Sequence, residues 1–158
     1  MKSKAIKKYK LFVPGMKLCM AILFLSVTGV TAQSSTLTVI SNQKGSPPSM
    51  KFSELKSIFM GEQQRWRSGT KITIALMKTN TPVGKNTSKV IYGMSGDELN
   101  KFWLALVFQG KAPAPNFFNS AVELGNFVAQ NPGAIGIVDQ LDANDEVKTI
   151  IVEGKRTL

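Results

Sequence analysis

The stretch Asn131 to Asp139, NPGAIGIVD, is where the architecture of this chain can first be read. Asn-Pro-Gly is a turn signal, and the apolar run behind it reads as a short buried strand. Gly136 stands inside that strand. A glycine there weakens pairing and marks close approach by another backbone or by a ligand. The question it raises is what comes so near.

The segments before and after supply the neighbours. TLTVIS, Thr36 to Ser41, alternates and is rich in β-branched residues, which predicts a first strand. MKFSELKSIFMG places Phe52, Leu55, Ile58 and Phe59 at helical spacing and ends on Gly61. Ser68-Gly69 turns into a second strand, KITIAL, Lys71 to Leu76. Thr81 before Pro82 is a helix start, a capping hydroxyl followed by proline at the first helical position, and Gly93 is its stop. Ser95 and Glu98 have capping-box spacing and open a helix with Leu99, Phe102, Trp103 and Leu106 on one face. Ser120 and Glu123 repeat the box before AVELGNFVAQN. NPGAIGIVD is then the third strand. VKTIIVEG is the fourth, and the acidic turn DQLDANDE between them suggests that the two pair as a hairpin. The order β, α, β, α, α, α, β, β predicts an α/β domain with a small mixed sheet covered by helices.

The first 32 residues stand apart. Six lysines, from Lys2 to Lys17, precede the apolar run LCMAILFLSV, and Val30 and Ala32 occupy the small-residue positions of a cleavage site. This reads as a signal peptide, 1–32, cut after Ala32, ahead of a single domain, 33–158. Met16 opens a complete signal by itself. Cys19 lies at the start of the apolar run, not after it, and so does not suit a lipidated cleavage point. The whole chain carries +10, and taking away six lysines leaves fourteen basic against ten acidic residues, or +4. That balance does not call for nucleic acid, and the basic residues do not interleave with stacking aromatics. The domain has no Cys and no His, which removes thiol nucleophiles, Ser-His-Asp triads and zinc sites built on those residues.

Three pieces fall into a familiar order: LKSIFMGEQQRWRSGTKITIAL (Leu55 to Leu76), FWLALVFQG (Phe102 to Gly110) and NPGAIGIVD. Together they resemble the periplasmic phosphate-binding proteins of ABC transporters over residues 36 to 152. The resemblance implies a single lobe of a type 2 periplasmic-binding-protein-like fold, where full-length members have two lobes and a cleft. It also implies a bacterial periplasmic or secreted, non-enzymatic solute-binding protein for phosphate or a similar oxyanion, with no cofactor and no metal. A membrane transporter or a sensor would be its partner, and two copies meeting as a homodimer would complete a cleft. The alternative is a lobe that has lost its ligand and serves as an interaction module on a membrane or sensor complex.

The family grips phosphate with Ser-Gly-Thr at a helix N-terminus, and Thr81 to Val83 stand at that place. Thr81 keeps a hydroxyl, Pro82 removes an N–H, and Val83 removes the second hydroxyl. The candidate oxyanion site is therefore Thr81, Val83, Gly84 and Lys85, with Lys78, Thr79 and Asn80 close in sequence.

Other residues read as structure. Trp66, between Arg65 and Arg67, plugs the core, and a stacking or anion clamp is the alternative. Phe102, Trp103 and Phe108 have core spacing. Phe117 and Phe118, adjacent in a proline-rich loop, cannot easily both enter one core, so exposure of one to a partner is the alternative to burial. Asp139, Asp142, Asp145 and Glu146 lack the glycine and the spacing of a calcium loop and read as a solvated turn. Gly136 fits tight packing better than ligand contact.

Overall fold

Gly136 occupies the middle of a five-stranded mixed sheet. Its strand, Ala134–Val138, is buried at every position. Ile40 is its partner on one side and Ala75 on the other. In this computed structural model residues 36–140 and 145–158 are described, and Gln33–Leu158 is one compact unit. The expected signal segment, Cys19 and Asp142 lie outside the described residues.

The strands are β1 (Thr38–Asn42), β2 (Ser49–Met50), β3 (Thr73–Met77), β4 (Asn116–Phe118), β5 (Ala134–Val138), β6 (Val147–Thr149) and β7 (Ile151–Val152). The sheet runs β4-β3-β5-β1-β6, and β2 pairs with β7 beside it. β3 is parallel to β4 and β5, whereas β1 is antiparallel to β5 and β6. The helices are α1 (Phe52–Phe59), α2 (Pro82–Thr87), α3 (Gly96–Phe108) and α4 (Ala121–Gln130). α2 continues as a π-helical turn over Ser88–Tyr92.

Each helix begins and ends where the local chemistry dictates. Leu55, Ile58 and Phe59 of α1 are buried, and Gly61 follows with φ +77°. The α2–π segment stops at Gly93, φ +67°. The α3 capping box is complete: Ser95 Oγ accepts from Glu98 N–H, and Glu98 Oε2 accepts from Ser95 N–H. At α4 the box is shifted. Ser120 Oγ accepts from Glu123 N–H, but the Glu123 carboxylate reaches Asn119 N–H instead.

The close neighbour of Gly136 is a helix. A Cβ there would lie 2.6 Å from Leu124 Cδ2 of α4 and 3.2 Å from the Ala75 carbonyl oxygen. The glycine lets α4 sit down on the centre of the sheet. Asn42, buried at the end of β1, caps that same helix. Its Nδ2 donates to the carbonyls of Val128 and Ala129 at 3.0 and 2.8 Å, and its Oδ1 accepts from Lys44 N–H. Trp66 is buried in the core.

Four expectations are corrected. The fourth strand does not pair with the third: both edges of β5 are taken, by β1 and β3, so β6 lies on β1. The fourth strand also divides into β6 and β7, which serve different sheets. Phe117 and Phe118 are not in a loop but in β4, an edge strand. There successive side chains take opposite faces, and both are partly buried, with Phe118 packed on Phe127 at a ring separation of 5.1 Å. Phe108 is not core; it is 83% exposed, because it stands five residues after Trp103, about 140° round the helix, on the stripe of exposed Leu104 and away from the buried face of Leu99 and Trp103.

Candidate functional site

β3, β4 and β5 run parallel, so their carboxyl ends share one side of the sheet, the side where open α/β sheets place ligands. Beyond the end of β3 the chain turns at Lys78 to Asn80 and enters α2. Thr81 fixes this turn. Its N–H and its Oγ1 both donate to the Lys78 carbonyl, at 2.9 and 2.7 Å, while Oγ1 accepts from Gly84 N–H at 3.0 Å. Lys85 N–H donates to the Thr81 carbonyl.

Gly84 is where the chain comes closest to itself. A Cβ there would collide with the carbonyl oxygen of Lys78 and lie 2.8 Å from that of Met77. Glycine thus lets the first turn of α2 press against the end of β3. Val83 is buried beneath it. Of the four predicted residues, Lys85 alone sends its side chain into open space; Thr81 is engaged in its cap, and Val83 and Gly84 hold the turn from inside. Pro82 has no N–H. The Val83 N–H is the first-turn amide that none of these bonds uses.

An open cavity of about 460 Å³ lies over this turn, lined by Thr79, Asn80 and Lys85 together with Lys89, Ser95, Gly96 and Asp97. The start of α3, at Ser95 to Asp97, and the turn ahead of α2, at Thr79 and Asn80, therefore meet one space with Lys85 and Lys89, while Thr81, Val83 and Gly84 do not line it. Thr79 ties turn and helix: its Oγ1 accepts from Asn100 Nδ2 at 3.2 Å, and its Cβ leaves room only for glycine at Gly96, where an added Cβ would be 2.9 Å away. The charges on the cavity are mixed, with Lys85 and Lys89 against Asp97. Just behind it, the Ser95 backbone and side-chain bonds and the Lys101 charge hold the Glu98 carboxyl below its ordinary range.

Lys89, Ser95, Gly96 and Asp97 were not predicted. Lys89 follows Lys85 by four residues and so shares its helix face, a signal present in the sequence. That Ser95 to Asp97 return to the same place depends on the π turn and on Gly93, which reverse the chain. Arg65 and Arg67 form no clamp over Trp66: Trp66 is buried, and Arg65 Nη1 donates to the Gly69 carbonyl at 2.8 Å. Among the described residues no group of three or more His, Cys, Asp or Glu is placed to hold a metal ion.

No family model matches the sequence, and no curated protein is significantly similar to it. Solved structures are. An ABC-type phosphate transport receptor from Vibrio cholerae superposes with a TM-score of 0.61 at 16% identity, over 78% of this chain and 48% of its own. PstS from Borrelia burgdorferi gives 0.55 at 14% identity, over 76% and 48%. The phosphate-binding protein from Stenotrophomonas maltophilia gives 0.54 at 15%, over 76% and 39%. The chain spans less than half the length of each. Its fold is that of one part of these phosphate-binding proteins, a mixed sheet covered by helices.

Proposed function

We propose that this chain is an exported, non-enzymatic solute-binding lobe that takes phosphate or a similar small oxyanion where α2 and α3 begin. The observation that carries this reading is the meeting of the α3 N-terminus, the turn leading into α2 and two lysines on one open cavity at the carboxyl end of β3. A helix start presents unpaired amides and the positive end of the helix dipole, which together attract anions. In this reading Thr81 fixes the turn, Val83 contributes its backbone N–H, Gly84 brings that amide to the strand end, and Lys85 supplies charge. The names of the solved structures sharing this fold, which describe phosphate binding and transport, support the same class of ligand.

The Asp97 carboxylate on the rim accepts hydrogen bonds and donates none. It suits an oxyanion that still carries a proton, such as hydrogen phosphate, better than sulfate. One lobe leaves one side of the ligand open, so binding is weak unless a second lobe, from another chain or another copy, closes over it. Residues 1–32 act as the export signal, cut after Ala32, and the protein works outside the cytoplasm beside a membrane transporter or a sensor.

The test is an NMR titration of the protein with inorganic phosphate. Saturating shifts at the amides of Val83, Gly84 and Gly96 are expected. Shifts confined to lysine side chains, or none, would refute the site.

A further inference from the structure

We propose that the outer face of α3 is a docking surface for an anionic lipid bilayer. It involves none of the residues of the oxyanion site and stands independently of that reading.

Phe108, Leu104 and Val107 are 83%, 58% and 41% exposed. Their spacing of three and four residues places them side by side on one helical stripe. Leu104 and Val107 continue into a shallow groove of about 240 Å³ shared with Trp103, Ala114 and Phe117, so the apolar surface is contiguous. Single exposed apolar residues need no explanation, but a contiguous patch marks an interaction site.

The charge flanking the patch is mostly positive. Lys101 lies three residues before Leu104 and Lys111 three after Phe108, and both are exposed. From Leu99 to Val122 there is no Asp or Glu. The acids of α3, Asp97 and Glu98, are confined to its first turn, where Glu98 is held by Ser95. The loop beside Ala112 adds one acid, Glu62.

A second copy is a poor occupant. The three side chains present on the order of 300 Å². Two such faces would bury about 600 Å², short of the roughly 1,000 Å² of a specific interface. A twofold axis there would also bring like-charged lysines together. An anionic bilayer asks for neither reciprocal shape nor reciprocal charge. Phe108, Leu104 and Val107 enter the acyl boundary while Lys101 and Lys111 reach lipid phosphates. No described helix is long and apolar enough to cross a membrane, so the contact is with the surface.

The test is co-sedimentation of Gln33–Leu158, the compact unit that holds the whole sheet, with vesicles of phosphatidylcholine alone or carrying phosphatidylglycerol. Binding to the anionic vesicles is expected, weakened about tenfold or more by Phe108→Ser and about tenfold by joint Lys101→Glu and Lys111→Glu. These side chains are exposed, so unchanged thermal unfolding should accompany the loss. Val122→Ser, at an exposed apolar residue of α4, should bind as the wild type does. Equal binding to both vesicle types, retention of binding by Phe108→Ser, or absence of binding would overturn the proposal. So would self-association abolished by Phe108→Ser without vesicle binding, which would assign the face to a second copy.

Discussion

The indole N–H of Trp66 donates to the carbonyl of Gly133 across 2.9 Å, inside the core. The bond joins the turn after α1 to the turn that opens β5, although 67 residues separate the two in sequence. Gly133 itself has φ +83°, and a Cβ there would strike the Lys71 carbonyl, so this corner admits no other residue without strain.

Trp66→Phe keeps most of the packing and leaves the Gly133 carbonyl with only the Thr73 N–H, at 3.3 Å, as donor. A loss of about 0.5–1.5 kcal/mol is expected. Trp66→Ala should lose about 3–5 kcal/mol because a cavity is added. Urea unfolding of the two variants measures both; no loss from Trp66→Phe would show that the hydrogen bond contributes nothing, and equal losses that the ring's packing adds nothing to it.

Two glycines should respond to alanine with opposite signs. At Gly136 the new methyl meets Leu124 Cδ2 and the Ala75 carbonyl, and a loss of about 1–3 kcal/mol is expected from overpacking. At Gly125, inside α4, nothing lies within 4 Å of an added Cβ. The methyl should there stabilise by roughly 0.5–1 kcal/mol through helix propensity. Midpoints of denaturant unfolding decide the signs.

Buried polar groups make a second contrasting pair. Asn42→Ala strips two donors from the end of α4 and should cost about 1–3 kcal/mol. Thr87 Oγ1 is buried with no hydrogen-bond partner, at the junction between α2 and its π turn. Thr87→Val removes an unsatisfied group at little change of shape and should be neutral or stabilising by up to about 1 kcal/mol. A substantial loss from Thr87→Val would mean that the hydroxyl is satisfied in solution.

The α3 capping box predicts a pH signature. The folded state holds Glu98 ionised below its ordinary carboxylate range, chiefly through the Ser95 backbone bond. A depressed folded pKa contributes stability that is present above the unfolded value and lost as pH falls through the folded one. Wild type and Glu98→Gln should therefore differ most near neutral pH and converge in acid. Parallel stability curves at every pH would contradict this.

Much of the fold was legible because its signals are local. Thr81, Pro82 and Gly93 bound the second helix, Ser95 and Glu98 open the third, and Gly136 announced close packing within its own strand. What was not legible depends on residues far apart. β6 lies on β1 because β1 fills the edge of β5 that a hairpin would have used, and no turn signal encodes that insertion. β4 is three residues long behind two prolines, too short for periodicity to show. Phe108 is the exception, since its signal is local: five residues after Trp103 and four after Leu104, it falls on the exposed stripe of Leu104 and not on the covered face of Leu99 and Trp103. At the candidate site, the proline and threonine that start α2 were visible. The return of Ser95 to Asp97 to the same cavity was not, since it is made by the π turn.

Isothermal titration of residues 33–158 with phosphate, and then with sulfate, at low salt tests the oxyanion reading most directly. Saturable heat with phosphate, weaker heat with sulfate, and a loss of about tenfold in affinity on joint Lys85→Ala and Lys89→Ala substitution are the expected results. No heat with either anion from a folded protein, or undiminished binding by the double variant, would contradict it.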